Sequence, residues 1–156
     1  MAQVEVSSGR LEDMAFAADP GLLLARANAD SIAASNAALA ELGLRVRSFA
    51  VLAAAASGSR PTQRELAEFL RLDPSQVVAL VDDLEARDLV RREVAPADRR
   101  AKVIVTTELG DSLHTDASRA IAASREHRFS TLTPAEVESL TGLLARIVRP
   151  DRPNSQ

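Results

Sequence analysis

TQRELAEFLRLDPSQVVALVDDLEARDLVRREVAPADRRAKVIVT, residues Thr62–Thr106, is the stretch whose reading decides the fold. It opens with two helix-start signals close together. Thr62 and Glu65 have the S/T-x-x-E spacing of a capping box, in which hydroxyl and carboxylate satisfy each other's backbone N–H groups. Asp73-Pro74 followed by Gln76 repeats the signal, with an acidic N-cap and Pro at the first helical position. Leu66, Phe69 and Leu70 are expected to form the buried side of the first helix. In the second, Val77, Leu80, Val81 and Leu84 fall at i, i+3, i+4 and i+7, a core-facing stripe. Val90–Val94 and Lys102–Thr106 are β-branched runs flanking Pro96-Ala97-Asp98-Arg99-Arg100, a hairpin by composition. Helix, turn, helix and hairpin in this order form the layout of a winged helix-turn-helix nucleic-acid-binding lobe.

Working outward, helices flank the lobe on both sides. Residues 1–9 have no helical period, and Leu11–Ala18 has the length of a short helix. Asp19-Pro20 is a further cap signal, and the pattern stays helical from Gly21 to about Leu42, where Gly43 stops it. Leu44–Ala56 reads as a second, more apolar helix, and Ser57–Pro61 as a loop. After the hairpin a long helix runs from about Thr107 to Thr131. Thr133 and Glu136 form another capping box, opening a last helix with Val137, Leu140, Leu143, Leu144 and Ile147 on its apolar side. Pro150 is expected to end it. The predicted class is mainly α with a small β-hairpin wing, a winged helix-turn-helix with N- and C-terminal dimerisation helices. The expected divisions are 1–18 (tail or short helix), 19–43 with 107–150 (dimerisation helices), 44–106 (DNA-binding lobe) and 151–156 (tail).

Composition supports helices that need a partner. Aromatic content is 3% within a hydrophobic total of 46%, so Leu, Val and Ala must fill the core. Alanine favours helix yet buries little area per residue, so such thin helices gain from packing on a second chain. The net charge of -3 argues against indiscriminate coating of nucleic acid. Charge is nevertheless segregated: Arg87, Arg91, Arg92, Arg99, Arg100 and Lys102 stand against only Asp88, Glu93 and Asp98, as a local phosphate-binding surface requires. The absence of Cys excludes disulfides and thiolate chemistry. With no membrane-length apolar run and no signal-peptide pattern, the expected address is the cytoplasm.

In a helix-turn-helix the first turn of the second helix approaches the major groove. With the stripe facing inward, Ser75, Gln76, Ala79, Asp82 and Asp83 face outward. Gln76 has the groups to pair with adenine, while Val78 and Ala79 could touch a thymine methyl. The plainer alternative is that Ser75 and Gln76 only cap the helix. Asp82 and Asp83 would repel phosphate and should lie away from the duplex. Asp98-Arg99-Arg100 at a hairpin tip suits the minor groove, where narrow A·T segments concentrate negative potential. Thr62 and Gln63 at the start of the first helix, and Arg91 on the first strand, complete the expected DNA-binding set.

These residues resemble the MarR family of bacterial transcriptional regulators, over about Pro20–Arg149. The most specific parts are SQVVALVDDLEARDLVRR (75–92) and ADRRAKVIVTTELG (97–110), which look like the family's recognition helix, its D-x-R wing and the T-x-x-G start of a long helix. The resemblance implies that Asp98 and Arg100 are the wing's D-x-R pair, with Arg100 in the minor groove. It implies a homodimeric repressor joined by its terminal helices, binding a pseudo-palindromic duplex and released by small aromatic or anionic ligands. It points to a crevice between the dimer helices and the lobe, for which Asn28, Arg45, Arg47, Phe49 and His114 are the candidate lining residues. Three departures stand out. Val78 and Ala79 replace polar readers, Asp83 replaces a common Arg, and Asp88 replaces a common Gly, although Asp tolerates a left-handed backbone better than most residues.

No nucleophile, nucleotide-binding or metal-protease motif is present, so neither an enzyme nor a cofactor is expected. His114 and His127 would sit roughly 220° apart around one helix and roughly 20 Å apart along it, so they cannot share a metal ion. The rival reading is a winged-helix protein-interaction module without specific DNA binding, motivated by the acidic balance and the apolar recognition helix.

Overall fold

The computed structural model describes residues 15–95 and 101–148. Among these residues, six α-helices and two paired strands follow in order: α1 (Pro20–Leu39), α2 (Val46–Ala56), α3 (Gln63–Leu70), α4 (Pro74–Ala86), β1 (Val90–Val94), β2 (Lys102–Thr106), α5 (Glu108–Arg128) and α6 (Pro134–Val148). The strands pair antiparallel with Arg92 opposite Ile104. Thr62 adds a bridge to Val103, and the Ile104 N–H donates to the Pro61 carbonyl at 2.8 Å. The segment leading into α3 therefore lies along the hairpin as a short third strand.

The caps are where local chemistry places them. Asp19 accepts the Leu22 N–H at 2.9 Å and Pro20 opens α1. Gly43 closes the 3-10 turn Ala40–Leu42 that continues α1, at a left-handed φ of 63°. The capping boxes at Thr62–Glu65 and Thr133–Glu136 both form, with each carboxylate accepting from the cap N–H and hydroxyl. Both carboxyls are held below the usual carboxylate range, first by the backbone N–H of the cap and then by its hydroxyl. α2 starts two residues later than its apolar pattern begins. Asn36 Oδ1 on α1 accepts the Val46 N–H at 2.9 Å, and Ser48 Oγ accepts the Arg45 N–H at 2.9 Å, which fixes the first turn there. The short helix expected over Leu11–Ala18 is a 3-10 turn at Ala15–Ala18, its earlier residues lying outside the described ones. The tail from 149 on, with Pro150, also lies outside them.

One core joins the lobe to the flanking helices. Leu39 from α1, Val51 and Leu52 from α2, Leu66 from α3, Val77, Val81 and Leu84 from α4, Ile104 from β2 and Ala117 from α5 are all buried in it. Leu80 is only half-buried, at the edge of this stripe. Phe69 departs from expectation: it is 71% exposed, and Ala67 is buried instead. The buried arc of α3 runs through Leu66, Ala67 and Leu70, and at 3.6 residues per turn Phe69 points roughly 110° from its centre.

α5 packs against α1 and α2, whereas α6 has no buried residue and leaves Leu143, Ile147 and Val148 exposed. α1 likewise exposes Leu23, Leu24 and Ile32. Among the described residues, no helix is long and apolar enough to cross a membrane.

Candidate nucleic-acid interface

The connection between α3 and α4 is short because Arg71 adopts a left-handed φ of 52° and the Leu72 N–H returns to the Ala67 carbonyl at 3.1 Å. α4 then buries Val77, Val81 and Leu84 completely. That burial turns Ser75, Gln76, Val78 and Ala79 outward, and all four are exposed. Gln76 has a local duty as well: its Oε1 accepts the Asp73 N–H at 3.4 Å, and its amide NH2 has no hydrogen-bond partner among the described residues. Thr62 is engaged in its capping box. Beside it, Gln63 is half-buried, and its Nε2 has no hydrogen-bond partner among the described residues.

The acidic side of α4 is countered from two directions. Arg92 on β1 donates from its guanidinium to Glu85 and Asp82, and its backbone N–H donates to Glu85 Oε1 at 3.0 Å. Its side chain is 18% exposed. Burial opposes the charge, but the hydrogen bonds to Asp82 and Glu85 more than offset this and raise its pKa above the ordinary Arg value. Asp83 lies 3.7 Å from Arg87 one turn on. The Asp83–Arg87 pair has the i, i+4 spacing of a helix ion pair and was available to sequence reasoning. The Arg92 joint was not, since nothing local tells which strand residue meets which helix residue.

At the base of the wing, Glu93 accepts from Arg91 at 2.7 Å and from Arg60 at 2.6 Å. The hydrogen bonds from Arg91 and then Arg60 hold its carboxyl below the usual range. One carboxylate thus gathers two guanidinium groups on one side of the hairpin, with Arg91 still 59% exposed. Arg60 itself sits at a left-handed φ of 52°. Sequence reasoning missed Arg60 because the loop that carries it gives no sign of lying along the hairpin. The Ala95 N–H donates to the Ala101 carbonyl at 2.9 Å, closing the base of the turn. Asp98, Arg99 and Arg100 lie outside the described residues.

Asp88 occupies the turn between α4 and β1 at a left-handed φ of 56°, in accord with the tolerance of Asp for that conformation. Thr107 Oγ1 donates to the Asp88 carbonyl at 2.6 Å, seating the start of α5 on this turn.

The five expected crevice residues fall in three places. Arg45 and Arg47 line a cleft of about 730 Å³ between α1, the start of α2, and α4, which contributes Gln76, Ala79 and Asp83. Neither Arg45 nor Arg47 has a carboxylate within 4.0 Å among the described residues. Asn28 is not there. It lines a separate cleft of about 420 Å³ with Arg128 and Phe129, and Asn36, two helical turns further along α1, takes its place. Phe49 stacks on His114 with ring centroids 5.9 Å apart and planes 13° apart, joining α2 to α5, and neither lines the 730 Å³ cleft.

The fold is that of a winged helix-turn-helix protein, with α3 and α4 as the helix-turn-helix and β1 and β2 as the two strands of the wing. A profile of the MarR family matches residues 42–101. The HTH-type transcriptional regulator MhqR of Bacillus subtilis (strain 168) is 33% identical over 106 residues, covering 67% of this chain and 72% of that protein. A MarR-family transcriptional regulator from Rhodococcus sp. RHA1 superposes with a TM-score of 0.83 at 39% identity, over 88% of this chain and 98% of that one. CouR from Rhodococcus jostii RHA1, in a structure with p-coumaroyl-CoA, gives a TM-score of 0.80 at 39% identity, over 88% and 97%. The chain belongs to the MarR family and is a DNA-binding transcriptional regulator.

Proposed function

We propose that this regulator is a homodimeric repressor that holds a pseudo-palindromic operator and lets go when a small anionic ligand enters the cleft beside α4. The carrying observation is that one cleft brings the unpaired Arg45 and Arg47 together with Gln76 and Ala79 of the recognition helix. An occupant would touch the helix that reads DNA. Two guanidinium groups at its edge favour carboxylate or phosphate, and the half-buried Leu80 offers an apolar wall. The CouR structure with p-coumaroyl-CoA supports an aromatic acyl thioester as the first ligand to try. The exposed apolar faces of α1 and α6 support the homodimer, since an isolated chain would leave them in water.

On the duplex, Ser75, Gln76, Val78 and Ala79 meet the major groove. Thr62, Gln63 and Arg91 meet the backbone, and Asp98, Arg99 and Arg100 form the wing contact. With only Gln76 and Ser75 as polar readers, sequence preference rests on thymine methyls and groove shape as well as on hydrogen bonds.

The test is selection of bound duplexes from a random pool, followed by titration of the selected complex with p-coumaroyl-CoA and with free p-coumarate. The reading expects an enriched palindrome and release by at least one ligand. It also expects Arg45→Ala with Arg47→Ala to need more ligand, scaled to the variant's own operator affinity. Arg99→Ala with Arg100→Ala should flatten the salt dependence by about one log unit of slope per lost phosphate contact. An unenriched pool would sink the operator reading.

A further inference from the structure

Arg87 ends α4, and its side chain reaches out of the winged lobe. Nη1 donates to the Gly43 carbonyl at 2.9 Å and Nη2 to the Leu42 carbonyl at 3.4 Å. Both carbonyls belong to the 3-10 turn that finishes α1, where exposed C=O groups carry partial negative charge and a cation is favoured. Gly43 fits the arrangement closely, since a Cβ there would stand 3.4 Å from Arg87 Nη2. The other polar ties of α4 run within its own turns or to β1, through Arg92. Among the described residues, no other side-chain hydrogen bond joins α4 to α1 or to the turn that follows it.

We infer that Arg87 is a positioning residue for operator binding, setting the attitude of the recognition helix relative to α1. The inference rests on the homodimer reading above, in which α1 belongs to the frame and the lobe is carried on it. A dimer must present its two recognition helices about 34–36 Å apart to reach both half-sites at once. A lobe free to tilt on its frame satisfies that spacing less often, whereas a single half-site imposes no such demand. The apolar stripe Val77, Val81 and Leu84 holds α4 in its lobe whether or not Arg87 is present. Removing the guanidinium therefore loosens the C-terminal end of α4 against the end of α1, while the shared core still joins lobe and frame and the reading surface itself stays in place.

The experiment compares the wild-type chain with Arg87→Ala and Arg87→Lys on three kinds of duplex. These are the operator selected from the random pool, a duplex holding one half-site, and a series in which the half-sites are moved stepwise apart or together. Melting curves and light scattering establish that each variant is folded and of unchanged assembly. For Arg87→Ala the expected result is a loss of about tenfold on the whole operator, the scale of a lost charged hydrogen bond, with little change on the half-site. Its preference for one spacing should flatten. Arg87→Lys should fall between, because the ammonium keeps the charge but has one donor nitrogen in place of the planar fork of two. Equal losses on half-site and operator would reduce Arg87 to a general stabilising residue and overturn the inference, as would an unchanged spacing preference. Should Arg87→Ala fail to fold, Arg87→Lys gives the same comparison. A wild-type chain that selects no two-part site would overturn the homodimer reading and this inference together, and that failure is read on the wild type alone.

Discussion

The carbonyl oxygen of Leu89 lies 1.9 Å from where a Cβ on Gly110 would stand, so the first turn of α5 rests directly on the backbone between recognition helix and wing. The Thr107 N–H donates to the same carbonyl at 3.2 Å. The T-x-x-G spacing of Thr107 and Gly110 is therefore a packing requirement: the hydroxyl ties down the turn, and the missing side chain lets the helix approach it.

Gly110→Ala should destabilise the fold strongly. The obstacle is backbone, which cannot swing aside as a side chain can, so a cost of about 3 kcal/mol is expected. Urea unfolding monitored by circular dichroism measures it. A variant as stable as the parent would contradict the close approach.

Arg92→Met tests the joint between wing and recognition helix. It removes the partner of two carboxylates and should cost about 1–3 kcal/mol in unfolding free energy. It should also weaken operator binding, because the charges of Asp82 and Glu85 are then left uncompensated on the helix proposed to approach the duplex. Adding Asp82→Asn and Glu85→Gln should restore part of the binding. If the triple variant binds no better than the single one, charge is not the cause.

The capping boxes give the stability a pH dependence. Glu65 and Glu136 have folded pKa values below their unfolded ones, so their contribution is fully present above the unfolded value, near 4.5. It is lost as the pH falls through the lower folded values. Glu65→Gln with Glu136→Gln should consequently lose less in melting temperature than the parent between about pH 5.5 and pH 3.5, a window that brackets the ordinary carboxylate pKa. Identical slopes for the two proteins would argue that these carboxylates do not matter for acid stability.

Leu143 and Ile147 on α6 are 54% and 65% exposed in the single chain. If the chain is the homodimer proposed above, replacing both with Asp should convert it to monomer in light scattering while the lobe keeps its melting transition. A dimer that survives the double substitution would place its interface elsewhere.

How much of this was legible in the sequence follows from distance along the chain. Both strands fall on the β-branched runs that announced them, and the Thr62 and Thr133 boxes form because each is closed by residues three apart. The left-handed Asp88 likewise answers to a local turn. Long-range pairings were hidden. Arg87 finds Gly43, Arg92 finds Glu85 and Arg60 finds Glu93 only after the helices have packed. Phe69 was misplaced because a short helix offers too few positions to fix which arc is buried. Asn28, the expected crevice residue of α1, lies outside the cleft that Asn36 lines, because only the angle at which α2 meets α1 decides which polar residue of that helix borders it.

Under the proposed function, the cleft beside α4 ties together two kinds of selectivity that are commonly treated as separate. Gln76 and Ala79 stand on its wall and also in the outward-facing first half of the reading helix. On the function proposed above, a substitution at either position retunes the chemical signal and the genomic address at once, so neither drifts alone. Ile32 and Asn36 border the same space from α1 and not from the reading helix. On that reading Ile32 is the position at which a sensor with a new inducer and its old operator would be built, since Asn36 already holds the Val46 N–H.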